Sequence, residues 1–332
     1  MLTTDFVLIL LGLAALLVGA EMLVRGSVRL AERFGVPSII IGLTVVAFGT
    51  SAPELGVSLQ AAFAGSSGLA LGNVVGSNLF NVLFILGDSA LITPLAIAPR
   101  LLRIDMPLLL GASLLVPLFA FNGRISAFEG ALFLALGAVH LYFLARAGKR
   151  ETPAPGEGEG EGEGEVGTQQ GAGESTGGAS LGTAVLLTAA GLGALVLGSN
   201  WLVDGSTALA LRLGVEETVI GVTLVAAGTS LPEVATSVLA AIRSQRDLAV
   251  GNVVGSNLFN IFWVLGAAAV AAPAGLGVSA SAFALDIPVM VVSAFLCFPL
   301  LRSGRTLVRW EGAVLFGGWL AYTTYRVAQA VG

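Results

Sequence analysis

The chain has 332 residues, of which 55% are hydrophobic and only 11% charged, and its mean hydropathy is +0.91. A soluble domain carries about 25% charge; here seven of the 21 acids fall within 151–174, and the other 14 acids with the 16 bases give the rest of the chain a net charge of +2. These figures exclude a water-soluble domain, a disulfide scaffold (one cysteine) and a nucleic-acid binder (scattered bases), and they point to a chain solvated by lipid.

A helix needs about 20 apolar residues to cross a bilayer core, and the apolar stretches predict ten such helices. In chain order they cover 6–24, 37–63, 70–91, 104–121 and 128–146, then 183–203, 218–242, 249–270, 283–301 and 310–328. The expected fold class is an all-α integral membrane protein of ten transmembrane helices. Met1 to Asp5 holds no basic residue, so the first stretch reads as a span and not as a cleaved leader. Between the fifth and sixth stretches runs PAPGEGEGEGEGEVGTQQGAGESTGG. Alternating Gly and Glu bury too little surface to offset the entropy of ordering, so 147–180 is expected to be a flexible linker.

The chain is written twice. Residues 42–87 and 221–266 align at an offset of 179 without a gap, and 26 of the 46 positions are identical, among them Thr, Ser, Pro, Glu, Asn and Gly. Gly19, Leu23, Val24, Gly26 and Ser27 meet Gly198, Leu202, Val203, Gly205 and Ser206 at the same offset; Asp105 and Pro107 meet Asp286 and Pro288 at 181. The expected units are 1–146 and 181–332, five helices each, joined by the linker. Five is odd, so the second unit enters the membrane from the opposite side and the repeats are inverted. With the N-terminus outside, thirteen Lys and Arg residues lie on the cytoplasmic side and only Arg124, Arg212 and Arg326 lie outside. Both termini are therefore expected outside and the linker inside. Inverted repeats with a site at their interface are a build of secondary transporters.

Glu54 and Glu233 occupy the same repeat position, midway along the second and seventh stretches. A charge at that depth costs about 2.5–3.5 kcal/mol on insertion scales, so such residues mark ion pathways. Each closes a Gly-Thr-Ser-x-Pro-Glu run: Gly49, Thr50, Ser51, Pro53, Glu54 and Gly228, Thr229, Ser230, Pro232, Glu233. Proline supplies no N–H to the carbonyl four residues back, so the helix is expected to loosen near Gly49 and Gly228 and leave carbonyls free. The third and eighth stretches add Asn73, Ser77 and Asn81, and Asn252, Ser256 and Asn260, each trio on one helical stripe. Carboxylates, hydroxyls, amide oxygens and carbonyls, without sulfur or imidazole, make a hard-cation set. Asp105 and Asp286, just before prolines, read as helix caps. Cys297 and the single histidine, His140, read as structural, and Glu21 is left without a role.

The duplicated GTSxPE followed by GNxxGSNxxN resembles the repeats of the cation/calcium exchanger superfamily, in its prokaryotic sodium/calcium exchanger-like branch. The resemblance implies a ten-helix antiporter of the plasma (inner) membrane that exchanges calcium for sodium by alternating access. It implies that Glu54 and Glu233 with the Thr50 and Thr229 carbonyls hold calcium. Sodium would use the same glutamates with Ser51, Ser77, Ser230, Ser256 and the backbone at Ala47 and Ala226, while Asn81 and Asn260 line the centre. Where this chain has Asn260, related exchangers often carry Asp, so this site has two titratable charges and no third; exchange against protons stays open. A passive cation pore is the remote alternative, and no enzyme activity, cofactor or nucleic-acid partner is expected, with oligomeric state left open. Deleting 155–175 is expected to leave transport largely intact in a vesicle flux assay; its loss would give the linker a role beyond tethering.

Overall fold

The computed structural model describes residues 2–150, 180–212 and 226–331. Its first half holds α1 (Leu2–Phe34), α2 (Ser38–Thr50), α3 (Ala52–Phe63), α4 (Ser67–Ile92), α5 (Leu101–Ala120) and α6 (Ala127–Arg150). Its second half holds α7 (Leu181–Arg212), α8 (Ala226–Gly228), α9 (Leu231–Ile242), α10 (Arg246–Ala271), α11 (Ala282–Arg302) and α12 (Arg309–Val331). Among the described residues, seven helices are long and apolar enough to cross a membrane. They become eight if α2 and α3, bent by 45° at their junction, form one broken span. The other two expected spans correspond to α12 and to the short α9. The stretch 218–225 of the expected seventh span and residues 151–179 of the expected linker lie outside the described residues.

Helix α1 runs ten residues past its expected end. Arg25, Arg29 and Arg33 recur every four residues and extend it with a polar face, which Glu21 supports by accepting from Arg25 Nε at 2.6 Å. The rest of α1 is apolar all round, and Leu10 and Leu17 are each 65% exposed, a surface that suits lipid and not water. Its other face packs against α7. Gly12, Gly19 and Gly26 on α1, and Gly191, Gly198 and Gly205 on α7, recur every seven residues and so share a face. A Cβ on Gly12 would sit 2.6 Å from the Leu202 nitrogen, and one on Gly191 would sit 2.6 Å from the Leu23 nitrogen. The two backbones touch directly, as small residues permit in membranes. The pair is antiparallel: Asp5 at the start of α1 meets Arg212 at the end of α7 at 2.8 Å.

Four short strands join the halves at two places. β1 (Leu95–Ala96) pairs antiparallel with β4 (Thr306–Leu307), and β2 (Arg124–Ile125) with β3 (Leu276–Gly277). Leu95, Ile125, Leu276 and Leu307 are fully buried beneath these ladders, which saturate loop backbone groups that lipid cannot. Glu129 and Glu311 cap the helices they begin, accepting from the Ser126 nitrogen at 2.6 Å and the Val308 nitrogen at 2.9 Å.

The capping expected of Asp105 and Asp286 is not what forms. Neither side chain caps a helix. Each is preceded by a π-helical turn, Leu101–Asp105 and Ala282–Asp286, and each reaches across to the next helix. Asp105, fully buried, lies 3.9 Å from His140 of α6 and 3.7 Å from Arg100. Asp286 accepts from the Tyr322 hydroxyl of α12 at 2.9 Å and lies 3.3 Å from Arg326. Buried carboxylates favour a cationic or hydroxyl partner over a cap exposed to lipid.

The α1–α7 contact yields a paired test. Gly191→Ala drives a methyl into the Leu23 backbone and is expected to lower stability by about 1–3 kcal/mol. Gly193→Ala, with open space at its Cβ, is expected to be neutral or to stabilise by up to about 1 kcal/mol. Thermal unfolding of the two variants in detergent checks the contrast.

Candidate cation-binding site

The helix breaks that create the site fall at Ser51 and at Thr229–Ser230, beside Gly49 and Gly228 as expected. Their backbone angles are alike, φ −85° and ψ 9° at Ser51, φ −92° and ψ 5° at Ser230. Pro53 and Pro232 then sit in the first turn of α3 and α9, where a missing N–H costs nothing. Glu54 and Glu233 follow directly, in the first turn, close to unpaired helix N–H groups that favour negative charge.

Both glutamates are 1% exposed. Each is held by the serine of the opposite half. The Ser51 hydroxyl donates to Glu233 Oε1 at 2.8 Å, and the Ser230 hydroxyl donates to Glu54 Oε1 at 2.9 Å. Ser77 lies 3.4 Å from the Ser230 hydroxyl. The second carboxylate oxygens, Oε2 of Glu54 and of Glu233, are buried with no hydrogen-bond partner among the described residues. So are Asn81 Oδ1, both side-chain polar atoms of Asn260 and the Ser256 hydroxyl. Buried polar atoms are nearly always paired. One unpaired oxygen on each of two buried carboxylates fits a cation between them. Among the described residues no three His, Cys, Asp or Glu side chains cluster, so any ion here draws most of its ligands from neutral oxygens.

The expected asparagine stripes divide into two roles. Asn81 donates to Asn257 Oδ1 at 3.0 Å, which fixes its amide and leaves its oxygen unpaired. Asn73 instead donates to the Glu54 carbonyl at 3.1 Å and to the Ser58 hydroxyl at 2.9 Å. Asn252 donates to the Ser237 hydroxyl at 2.9 Å and accepts from Thr50 at 3.2 Å. These two brace the helices that carry the glutamates. Ser58 and Ser237, their partners, were not singled out from the sequence, although they are identical at the 179-residue offset. The carbonyls expected to be free are partly engaged. The Gly228 carbonyl accepts from the Ser199 hydroxyl of α7, and the Ala47 carbonyl accepts from the Ser51 nitrogen at 3.0 Å. Ala226 opens α8.

Helices α4 and α10 also carry π-helical stretches, Phe80–Ile85 and Asn260–Leu265, which begin at or beside Asn81 and Asn260. Such turns concentrate at functional positions because they displace a side chain from the regular helical register.

Among the described residues nothing meets Gly72 and Gly76 of α4, which line a cavity of about 200 Å³ with Gly68, Ser279, Ser281 and Asp286; positions 218 and 222, which correspond by repeat to Ile39 and Leu43, lie outside the described residues. Gly251 and Gly255, the repeat partners of Gly72 and Gly76 on α10, are packed against α2. A Cβ at Gly251 would sit 2.9 Å from the Ile39 carbonyl, and one at Gly255 would sit 2.7 Å from the Leu43 Cα. The cavity runs along α4 as far as Gly76, the neighbour of Ser77.

A family model described as sodium/calcium exchanger protein matches residues 4–146 and 183–328. The chain is 35% identical to the putative antiporter CaxA of Alkalimonas amylolytica over 319 residues, covering 95% of this chain and 96% of that protein. It is 35% identical over 349 residues to the sodium/calcium exchanger MaX1 of Methanosarcina acetivorans, covering 97% and 98%. The solved structure of the sodium-calcium exchanger NCX_Mj soaked with Na+ and Sr2+ superposes with a TM-score of 0.81 at 29% identity, covering 97% of this chain and 98% of that one.

The close packing of α10 on α2 predicts that Gly255→Ala pushes the two helices apart and cuts folded yield or thermal stability relative to wild type. Size-exclusion profiles and unfolding midpoints measure the difference.

Proposed function

The chain belongs to the sodium/calcium exchanger family, and on that premise we propose that it is a secondary antiporter exchanging calcium for sodium across the plasma (inner) membrane. The observation that carries the reading is the reciprocal pairing of Ser51 with Glu233 and Ser230 with Glu54, which leaves one unpaired oxygen on each buried carboxylate. Two negative charges balance one divalent ion or two monovalent ions. A site of this kind therefore alternates between calcium and sodium without carrying a large net charge through lipid.

The ligand set we assign is the side chains of Glu54, Glu233, Ser51, Ser230, Ser77, Ser256, Asn81 and Asn260 with backbone at Thr50, Thr229, Ala47 and Ala226. The arrangement is ten transmembrane helices in two inverted five-helix units, 1–146 and 181–332. Both termini are outside, and the joining segment 147–180 is cytoplasmic. Alternating access is the reading that goes with inverted repeats sharing one central site.

Calcium-45 uptake into sodium-loaded proteoliposomes tests the reading, with choline-loaded vesicles as control. Wild-type uptake should require internal sodium. Glu54→Gln and Glu233→Gln should each remove at least nine-tenths of it while the protein still elutes as a folded species. Near-normal uptake in either variant would overturn the site, and uptake driven by a pH gradient but not by sodium would overturn the choice of counter-ion.

A further inference from the structure

The ends of α5 and α11 meet beneath the β1–β4 ladder, around a cavity of about 420 Å³ that plays no part in the cation site. Pro99, Leu102 and Phe298 give it an apolar wall, and Arg103, Arg302 and Arg305 give it three guanidinium groups. None of the three arginines has a carboxylate within ion-pair distance among the described residues, whereas Arg100 beside them is committed to Asp105. Arg302 is the last residue of one candidate span and Arg103 the third of another. The cavity therefore lies at the level where hydrocarbon gives way to headgroups.

The loop is built to hold its arginine there. Arg305 adopts φ 52°, a left-handed conformation that non-glycine residues rarely take, next to Gly304 at φ 60°. Its carbonyl accepts from the Ile97 nitrogen at 2.8 Å, and Thr306 continues directly into the ladder with Ala96. A backbone kept in a costly region by its surroundings points to a role for the side chain it presents.

Fold symmetry does not account for the arginine trio. At the offset of 181 that relates Asp105 to Asp286, Arg103 corresponds to Ala284; at the ladders the halves relate at 182, where Arg302 corresponds to Ala120 and Arg305 to Gly123. The equivalent place under the β2–β3 ladder thus keeps none of the three, although Arg124 follows Gly123. The basic cluster belongs to one end of the molecule only, and it combines apolar walls with unpaired cationic forks that match phosphate oxygens bidentately.

We propose that this cavity is a binding site for the phosphate group of an anionic phospholipid, held by Arg103, Arg302 and Arg305 with its glycerol and upper acyl carbons against Leu102 and Phe298. Basic pockets between spans at the membrane surface recognise acidic lipids by this chemistry. The inference does not depend on which ions the protein transports.

The test uses delipidated full-length protein in detergent, with bound lipid counted by native mass spectrometry and thermal stability read in parallel. Dioleoyl phosphatidylglycerol should bind and raise the unfolding midpoint, and dioleoyl phosphatidylcholine should do so at least tenfold more weakly. The triple variant Arg103→Gln, Arg302→Gln, Arg305→Gln should lose this preference, with affinity for phosphatidylglycerol falling at least tenfold. The triple lysine variant should retain most of it, and Arg124→Gln at the opposite end should change nothing. Glycerol 1-phosphate alone separates the sources: failure to compete at lipid-like concentrations supports a lipid ligand, and equal affinity would overturn it in favour of a soluble phosphate ester. Equal binding of both lipids by wild type, or an undiminished preference in a folded glutamine variant, would overturn the site itself.

Discussion

Two carboxylates buried at the centre of a lipid-solvated protein need partners, and each finds one in the other half of the chain. Isolated charges in such a medium cost several kcal/mol each. The Ser51–Glu233 and Ser230–Glu54 bonds meet part of that cost and bind the two halves into one site. Much of the local structure follows from this demand. Ser51 and Ser230 stand at the helix breaks and reach across from there. The prolines then restart the helices where their missing N–H is harmless. Asn73 and Asn252 brace the restarted helices.

The cross-half bonds involve the first turns of α3 and α9, and α10 packs closely against α2 beside them. The α1–α7 pair, joined backbone to backbone along its glycines, forms a unit of its own within this frame.

Much of this was legible in the sequence because the chemistry is restrictive. A glutamate repeated 179 residues apart within an apolar stretch, preceded both times by a serine and a proline, has few structural explanations. Hydropathy placed most helices, and the asparagine spacing placed the stripes. What sequence could not supply depended on partners distant in the chain. Asn73 and Asn252 became braces because Ser58 and Ser237 stand opposite them. Asp105 and Asp286 read as caps on local grounds, but Asp286 accepts from Tyr322, and Asp105 lies beside Arg100 and His140, the repeat counterpart of Tyr322. The π-helical turns at Asn81 and Asn260 and the two strand ladders left no periodicity to read.

The central claim is that calcium and sodium compete for oxygens shared by Glu54 and Glu233. Equilibrium binding of calcium-45 to the purified protein, titrated with sodium at constant ionic strength, measures this without any vesicle or gradient. The account predicts that sodium raises the apparent Kd for calcium steeply, with more than one sodium ion needed to expel each calcium, until no calcium remains bound. Calcium occupancy that levels off at a plateau insensitive to further sodium would place the two ions in separate sites and contradict it.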